Sequence, residues 1–207
     1  MDTSDRPRAW IRLPSGAALD LINPRSDAWT DLDLASRLAR TYRWGGESVW
    51  PWPLSVAQHS LLVLALRRDG AAQPLSAAEA RAELLHDAEE GFLGFDCISP
   101  LKRVLGAPFQ QVADRLMSAI ALRYQLPAWT DASHRAHKLA DRIAAASEAV
   151  HCTGWSKEEV REVLGIQEPV MTVDPLQAIY GDNAWEPWPS DLAAARFLDE
   201  LRRLQPG

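Results

Sequence analysis

The pattern of apolar and polar positions along the chain is mainly that of amphipathic helices. Apolar residues recur at intervals of three and four, the spacing at which side chains share one face of a helix. Segments with this pattern are 32–40, 55–66, 79–93, 108–124, 131–152 and 192–204. Little of the chain alternates in the way that a half-buried strand does, so the sequence predicts a mainly α fold.

One short segment has a different pattern. Between residues 9 and 22, two alternating apolar runs flank Pro14-Ser15-Gly16, which has the composition of a turn. This segment is predicted to form a short N-terminal β-hairpin. The stretches 42–53 and 168–189 are rich in glycine or proline and are predicted to be irregular.

Capping residues mark where several predicted helices begin. A hydroxyl residue followed three positions later by an acid or amide is the capping-box pattern, which satisfies two backbone N–H groups. The pairs that fit it are Thr30/Asp33, Ser55/Gln58, Ser76/Glu79 and Ser156/Glu159. Ser190 is predicted to cap the last helix.

Length and composition are those of one globular domain that covers residues 1–207. The chain is 47% apolar and 24% charged, values typical of a protein that can bury a full core. Its net charge is −6, which argues against non-specific binding to duplex nucleic acid.

The sequence also bears on the cellular compartment. The longest nearly apolar stretch, residues 61–66, is too short to span a bilayer, and the N-terminus has no apolar signal region. Cys97 and Cys152 form no metal-binding or redox spacing, which suits a reducing compartment. We therefore expect a cytoplasmic protein with no membrane partner.

Candidate chemistry is concentrated in four residues inside helical segments. These are His59, the neighbouring pair His86-Asp87, and Asp141. Imidazole nitrogens and carboxylate oxygens are common protein ligands of a catalytic divalent metal. Four of them on packed helices can surround one ion and leave positions open for water and substrate, which indicates a metal-dependent hydrolase.

Two acids add to this interpretation. Asp141 has the apolar neighbours Leu139, Ile143 and Ala144, so its helix is expected to lie partly in the core, where a carboxylate needs a partner or a metal. Glu90 follows His86 by four positions and is expected to face the same groove.

Three motifs around these residues resemble those of the HD-domain phosphohydrolases. They are SVAQHS at 55–60, ELLHDAEE at 83–90 and LADRIAA at 139–145, and the resemblance covers roughly residues 30–152. It implies a single HD-type helical bundle, with 153–207 as a C-terminal extension. It also implies that His59, His86, Asp87 and Asp141 bind one divalent transition metal, of which Mn, Co, Fe, Ni and Zn are candidates.

Within that family the chain is most similar to the compact bacterial 5′-deoxynucleotidase type. There an Arg-Trp pair precedes the first ligand by about fifteen residues and a Glu follows the His-Asp pair at the third position; here these are Arg43-Trp44 and Glu90. A Gly-Asp followed by Pro-Leu-Lys also recurs in the family. This chain has Asp96 and Lys102 there, with one extra residue between the glycine and the aspartate.

The resemblance implies a role for each of these residues. Glu90 is expected to orient the attacking water or carry its proton, and Arg43 to grip phosphate through its planar guanidinium. Trp44 is expected to stack on the base or line the sugar pocket. Asp96 is expected to act at the catalytic centre and accept a hydrogen bond from the sugar 3′-hydroxyl, and Lys102 to neutralise further phosphates.

Several functions stay open at this point. The first is removal of phosphate from deoxynucleoside 5′-monophosphates, and the second is a triphosphohydrolase acting on deoxynucleoside triphosphates such as dATP. A cyclic or oligonucleotide phosphodiesterase and a non-catalytic nucleotide-binding protein are weaker alternatives. The expected partner is a small nucleotide, with a homodimer formed through the last helix or exposed tryptophans as a further expectation. The tryptophan-rich loop 44–53 is expected to determine the substrate.

Overall fold

The computed structural model describes residues 8–205 and is mainly helical, as the periodicity predicts. Strands β1 (Trp10–Arg12) and β2 (Ala18–Asp20) form an antiparallel pair, which confirms the N-terminal hairpin. The helices are α1 (Asp31–Ala39), α2 (Val56–Asp69), α3 (Ala77–Leu84), α4 (Ala88–Leu93), α5 (Ser99–Tyr124), α6 (Asp131–Thr153), α7 (Lys157–Glu162), α8 (Pro175–Tyr180) and α9 (Ser190–Arg203). No helix within residues 8–205 is long and apolar enough to cross a membrane.

Helix α2 lies at the centre of the fold. Its residues from Val56 to Ala65 are all buried, because α1, α3, α6, α8 and α9 pack around it. A helix enclosed on all sides is apolar all round rather than along one stripe, which explains the continuous apolar run in this segment. His59 lies in the same buried part of α2, just before the apolar run, and none of its surface is exposed. Any chemistry at His59 therefore takes place in the protein interior.

Helices α1, α4 and α9 build the neighbouring part of the core. Gly91 of α4 lies against α1, where an added Cβ would approach the Leu38 side chain to 3.0 Å. Phe197 and Leu201 of α9 are fully buried, and α9 packs mainly on α1. The apolar side of α9 is therefore covered within the same chain. The expected homodimer has no support from this helix.

Asp33 joins the hairpin to the first helix. Its Oδ1 accepts a 2.7 Å hydrogen bond from the backbone N–H of Ser15 in the hairpin turn. Its Oδ2 accepts from the backbone N–H and hydroxyl of Thr30, each at 2.8 Å, and completes the predicted capping box. Burial raises the pKa of Asp33, but these hydrogen bonds outweigh it, so the pKa is lowered overall.

Replacing Asp33 with Asn is expected to lower the free energy of unfolding by about 2 kcal/mol at neutral pH, because the N–H groups of Ser15 and Thr30 lose a charged acceptor. A lowered folded-state pKa means that this contribution is complete above the unfolded pKa of about 3.9 and is lost as the pH falls through the folded value. Urea unfolding across pH 2–7 measures it. The control Asp131→Asn, an exposed acid in the first turn of α6, should change stability by under about 0.5 kcal/mol. A constant Asp33 effect down to pH 2 would contradict this account.

Three regions differ from the helices that the sequence predicts. The predicted helix 79–93 is broken between α3 and α4, where Asp87 has φ −115° and ψ 28°. The helix predicted for 108–124 is the second part of α5, which follows a kink at Gly106, where φ is 69° and ψ is −160°; the first part begins already at Ser99, with Pro100 in its first turn. Helix α8 lies inside the segment predicted to be irregular, where Asp174 caps it through the backbone N–H of Leu176.

Two predicted caps also need correction. Ser55 does accept from the backbone N–H of Gln58, but the Gln58 side chain is bound elsewhere, to Glu186 and Trp188. This half of the capping box is therefore absent at Ser55. Ser190 is the first residue of α9 rather than its cap, and its hydroxyl pairs with that of Tyr42.

Candidate metal centre

The break between α3 and α4 places the His86-Asp87 pair at the site. The Nδ1–H of His86 donates to the backbone carbonyl of Glu83 at 2.8 Å, a bond that only a protonated Nδ1 can make. The Nε2 atom is thereby the one available for a ligand. Because Asp87 is outside helical geometry, its carboxylate turns back to within 3.0 Å of that Nε2. Both side chains thus face one point, which a continuous helix would not allow at adjacent positions.

His59 is fixed in the same way from the opposite side. Its Nδ1 lies 2.6 Å from Oε1 of Glu148, a carboxylate on α6. Its Nε2 lies 3.3 Å from Nε2 of His86, 3.4 Å from Oδ1 of Asp141 and 3.8 Å from Oδ2 of Asp87. The two imidazoles therefore present the same kind of nitrogen to a common centre.

The donor set fits a divalent transition metal. Ligand atoms that share an ion at about 2.1 Å are separated by roughly 3 to 4 Å, and the measured separations run from 3.0 to 3.8 Å. One donor atom from each of His59, His86 and Asp87 lies within 4.8 Å of the others. Asp141 adjoins this group through its contact of 3.4 Å with Nε2 of His59. These four residues, the four-ligand cluster, are all brought together as the sequence predicts, while their binding of a metal stays a prediction.

Helix α6 carries Asp141, and this helix is less deeply buried than the sequence analysis expects. Ala144 is buried as expected, but Leu139 is 53% exposed, so α6 lies less deeply than its apolar neighbours suggested. The carboxylate is partly exposed, and its Oδ2 also pairs with Lys138 at 3.2 Å. Asp141 and Asp87, whose side chains are 21% and 19% exposed, are therefore the members of the cluster nearest to solvent.

The opposite charges of the histidines and carboxylates in the cluster attract each other. Burial and Arg43 lower the pKa of His59, but Glu148 and Asp141 outweigh them and raise it to about 9. Burial raises the pKa of Asp87 and of Asp141, but the neighbouring histidines lower both well below the usual range. His59 therefore holds a proton at neutral pH that metal binding must displace.

A second group of acids lies beside Asp87. Glu90 is buried, and its Oε1 accepts from Lys102 Nζ at 3.1 Å and from the backbone N–H of Cys97 at 3.3 Å. Burial, Asp87 and Asp96 raise the pKa of Glu90 to about 9. A buried carboxyl group whose pKa is raised in this way, next to a cluster of candidate metal ligands, is typical of residues that transfer protons.

Lys102 lies at the site, but its contacts are with protein acids. Besides Glu90 it approaches Glu89, whose Oε1 is 4.0 Å from its Nζ. Burial and Asp87 raise the pKa of Glu89 to about 7. Lys102 thus offsets part of the repulsion among neighbouring carboxylates.

Arg43, Trp44 and Asp96 are also brought to the site. Arg43 is buried, with its Nε donating to Glu148 at 2.8 Å and one terminal nitrogen 3.7 Å from Asp96. The Trp44 indole donates to Glu148 at 3.3 Å. Asp96 follows the end of α4, where Gly94 adopts φ 83° and turns the chain. Arg43 is therefore an interior cation rather than a surface charge.

Sequence reasoning missed Glu148. It lies seven residues after Asp141 on α6, two helical turns along the same face. Its neighbours Ala146, Ser147 and Ala149 are buried, so an acid at this position had to have a partner. That spacing and the small residues around the acid are the signal that was available in the sequence.

The tryptophan-rich loop is held against α6 rather than against the cluster. The Trp50 indole donates to the backbone carbonyl of His151 at 2.9 Å, and the backbone N–H of Val49 donates to the backbone carbonyl of Cys152 at 2.8 Å. Trp52 is exposed. Trp44 is the loop tryptophan that contacts a residue bound to the cluster.

Comparison with known proteins identifies a relative of this chain. No protein-family model matches the sequence. An uncharacterized protein of Rhodobacter capsulatus is 40% identical over 166 residues, which cover 79% of this chain and 83% of that protein. Identity at this level over most of both chains indicates a common fold and origin. The chain therefore belongs to the same family as this Rhodobacter capsulatus protein.

Proposed function

We propose that the protein is a cytoplasmic, metal-dependent phosphohydrolase of the HD-domain type that acts on deoxynucleoside 5′-monophosphates. The observation that carries the proposal is the convergence of His59 and His86. Each ring is held through Nδ1 by a protein oxygen. The Nε2 atom of His59 faces the carboxylates of Asp87 and Asp141, and the Nε2 atom of His86 faces that of Asp87. A hydrogen-bonded core histidine needs no such arrangement.

The four-ligand cluster would hold one divalent transition metal, chosen among Mn, Co, Fe, Ni and Zn by availability. When bound, such an ion supplies a positive charge that polarises a phosphate oxygen and lowers the pKa of a water. The protein's part is to keep the four donors in place and to enclose them. His59 is completely buried, while Asp87 and Asp141 are each partly exposed, so access is from the side of these two carboxylates.

Glu90 is the proposed proton carrier. Its carboxyl group is buried beside Asp87 without belonging to the four-ligand cluster. Lys102 lowers the raised pKa of Glu90, and a cation at Asp87 would lower it further by offsetting the same negative charge. The group would then exchange a proton near neutral pH, as a general acid or base requires.

Arg43 and Asp96 are the proposed substrate contacts. The guanidinium has five N–H donors, of which Nε is bound to Glu148, and the terminal nitrogens lie toward Asp96. A phosphate group can accept from those terminal nitrogens, while Asp96 is in place to accept from a sugar hydroxyl. Trp44, held at the same point, offers an aromatic face to the base or sugar.

The charge balance favours a monophosphate over a triphosphate. Arg43, Lys102 and Lys138, the cations in contact with the site among residues 8–205, are each already paired with a carboxylate. A triphosphate carries more negative charge than these pairs can balance without losing their own partners. The triphosphohydrolase and phosphodiesterase alternatives therefore have weaker support.

A nucleotide panel tests the proposal. The protein loaded with Mn²⁺ or Co²⁺ is incubated with deoxynucleoside mono- and triphosphates and a cyclic nucleotide, and phosphate, pyrophosphate and tripolyphosphate are measured. Inorganic phosphate from the monophosphates is expected. Tripolyphosphate from dATP alone would establish the triphosphohydrolase instead, and no product from any nucleotide would overturn the enzymatic proposal.

A further inference from the structure

Glu148 joins the cluster to the residues proposed to bind substrate. One carboxylate oxygen contacts Nδ1 of His59 at 2.6 Å, and the other accepts from Arg43 Nε at 2.8 Å and from the Trp44 indole at 3.3 Å. The side chain is 1% exposed. We propose that Glu148 is a positioning residue that holds His59 with Nε2 toward the metal and ties that histidine to Arg43 and Trp44. The inference rests on the proposed metal centre of the previous section.

The first step of the argument concerns the His59 ring. A carboxylate is an acceptor only, so the bond to Glu148 keeps a proton on Nδ1 and leaves Nε2 to face His86 and Asp141. A ring held in one orientation and one tautomer binds a metal more tightly than a ring that can rotate, because no ordering is needed on binding. Among the described residues, Glu148 is the acceptor that fixes His59 at Nδ1.

The second step concerns the chain before α2. Trp44 has φ 58°, a left-handed conformation that is uncommon for a bulky residue and needs surrounding contacts to hold it. The indole bond to Glu148 is such a contact, and the Arg43 ion pair with Glu148 lies directly before it. The same carboxylate thus holds a metal ligand and an unfavourable backbone conformation, so movement of one side affects the other.

The matched comparison is Glu200 on α9. It is also a buried carboxylate bound by arginines, with Arg68 at 2.6 Å and Arg203 at 3.4 Å, but it contacts no residue of the four-ligand cluster. Glu148→Gln and Glu200→Gln each remove one buried charge and keep the side-chain size. The two variants therefore separate loss of a buried ion pair from loss of the His59 contact.

The test measures Mn²⁺ affinity by calorimetry and the visible absorption spectrum of the Co²⁺-loaded protein. Glu148→Gln is expected to lose 10- to 100-fold in affinity, as is typical when the partner of a ligand histidine is replaced, and to shift the Co²⁺ bands. Glu200→Gln should bind Mn²⁺ within about twofold of the wild type. Unchanged affinity and spectrum in a folded Glu148→Gln variant would overturn the inference.

A second measurement covers the case in which Glu148→Gln does not fold. In the wild-type protein loaded with Zn²⁺, ¹⁵N NMR of the His59 ring should show a protonated Nδ1 and a metal-bound Nε2. A deprotonated or metal-bound Nδ1 would overturn the inference without any variant. Neither measurement uses catalysis, so wild-type protein that binds metal but hydrolyses no nucleotide would contradict the proposed function and leave the role of Glu148 to be decided by these readouts.

Discussion

Replacing Asp87 with Ala is expected to remove bound metal and nucleotide hydrolysis together. Asp87 supplies a carboxylate oxygen 3.0 Å from Nε2 of His86 and belongs, with His59 and His86, to a group whose donor atoms all lie within 4.8 Å of one another. Loss of a partner one step further from the metal typically costs 10- to 100-fold in affinity, so loss of a ligand should exceed about 100-fold. Metal content of the purified protein and phosphate release are the measurements.

The metal-free stability of this variant distinguishes a lost ligand from a damaged fold. Asp87 raises the pKa of both Glu89 and Glu90, which shows that it repels them. Asp87 is also attracted by His86 and His59, which lower its own pKa, so the metal-free variant should fold but have a lower Tm than the metal-free wild type. Only the wild type should then gain stability with metal, by about 2.7 kcal/mol at a concentration of 100 Kd.

Two outcomes would contradict this prediction. Retention of one metal ion per chain by Asp87→Ala would mean that the ion binds elsewhere. Loss of metal with unchanged nucleotide binding, in a protein whose wild type turns over no nucleotide, would support a non-catalytic binding protein. Asp199→Ala, which removes an exposed acid of α9, serves as the control and should change neither metal content nor activity.

Replacing Glu90 with Gln is expected to lower kcat by about 10²- to 10⁴-fold while metal binding is retained, the usual range for loss of a general acid or base. Gln keeps the size and can still accept from Lys102 and the Cys97 N–H. It cannot exchange a proton. The corresponding limb of the pH profile of kcat should disappear in the variant.

Glu89 provides the matched control, because it is the adjacent residue, is buried and also lies near Lys102. Glu89→Gln removes a similar charge without removing the proposed proton carrier, so its kcat should fall by less than about tenfold. Equal losses in the two variants would mean that the shared negative charge matters rather than proton transfer by Glu90. A larger loss in Glu89→Gln would assign the role to Glu89.

Local features of the sequence predicted much of the fold. The hairpin at β1 and β2, the start of α1 at Thr30 and the start of α7 at Ser156 follow from turn composition and capping boxes, which act within a few residues. The break after Leu85 was not predicted, because apolar spacing continues through it. The break turns His86 and Asp87 toward the same centre as His59 of α2 and Asp141 of α6, which are distant in the sequence.

The candidate site divides in a similar way. Its four ligand positions were named from their residue types, and Glu90 and Arg43 with the help of the resemblance to the HD-domain phosphohydrolases; the fold brings all of them to one place. The hydrogen-bond partners of those residues were not named from the sequence, since Glu148 is 89 residues from His59 in the chain. Lys102 was expected to meet phosphate, yet the structure places it against Glu90.

The sequence by itself determined the helical class, the hairpin and the identity of the candidate metal ligands, because periodicity, capping and donor chemistry are properties of short segments. The tertiary structure alone decided which nitrogen of each histidine faces the centre, that Arg43 is an interior cation, and that Glu148 joins Arg43 to His59. Those features depend on burial and on contacts between distant segments, where a charged group must find a partner once water is excluded.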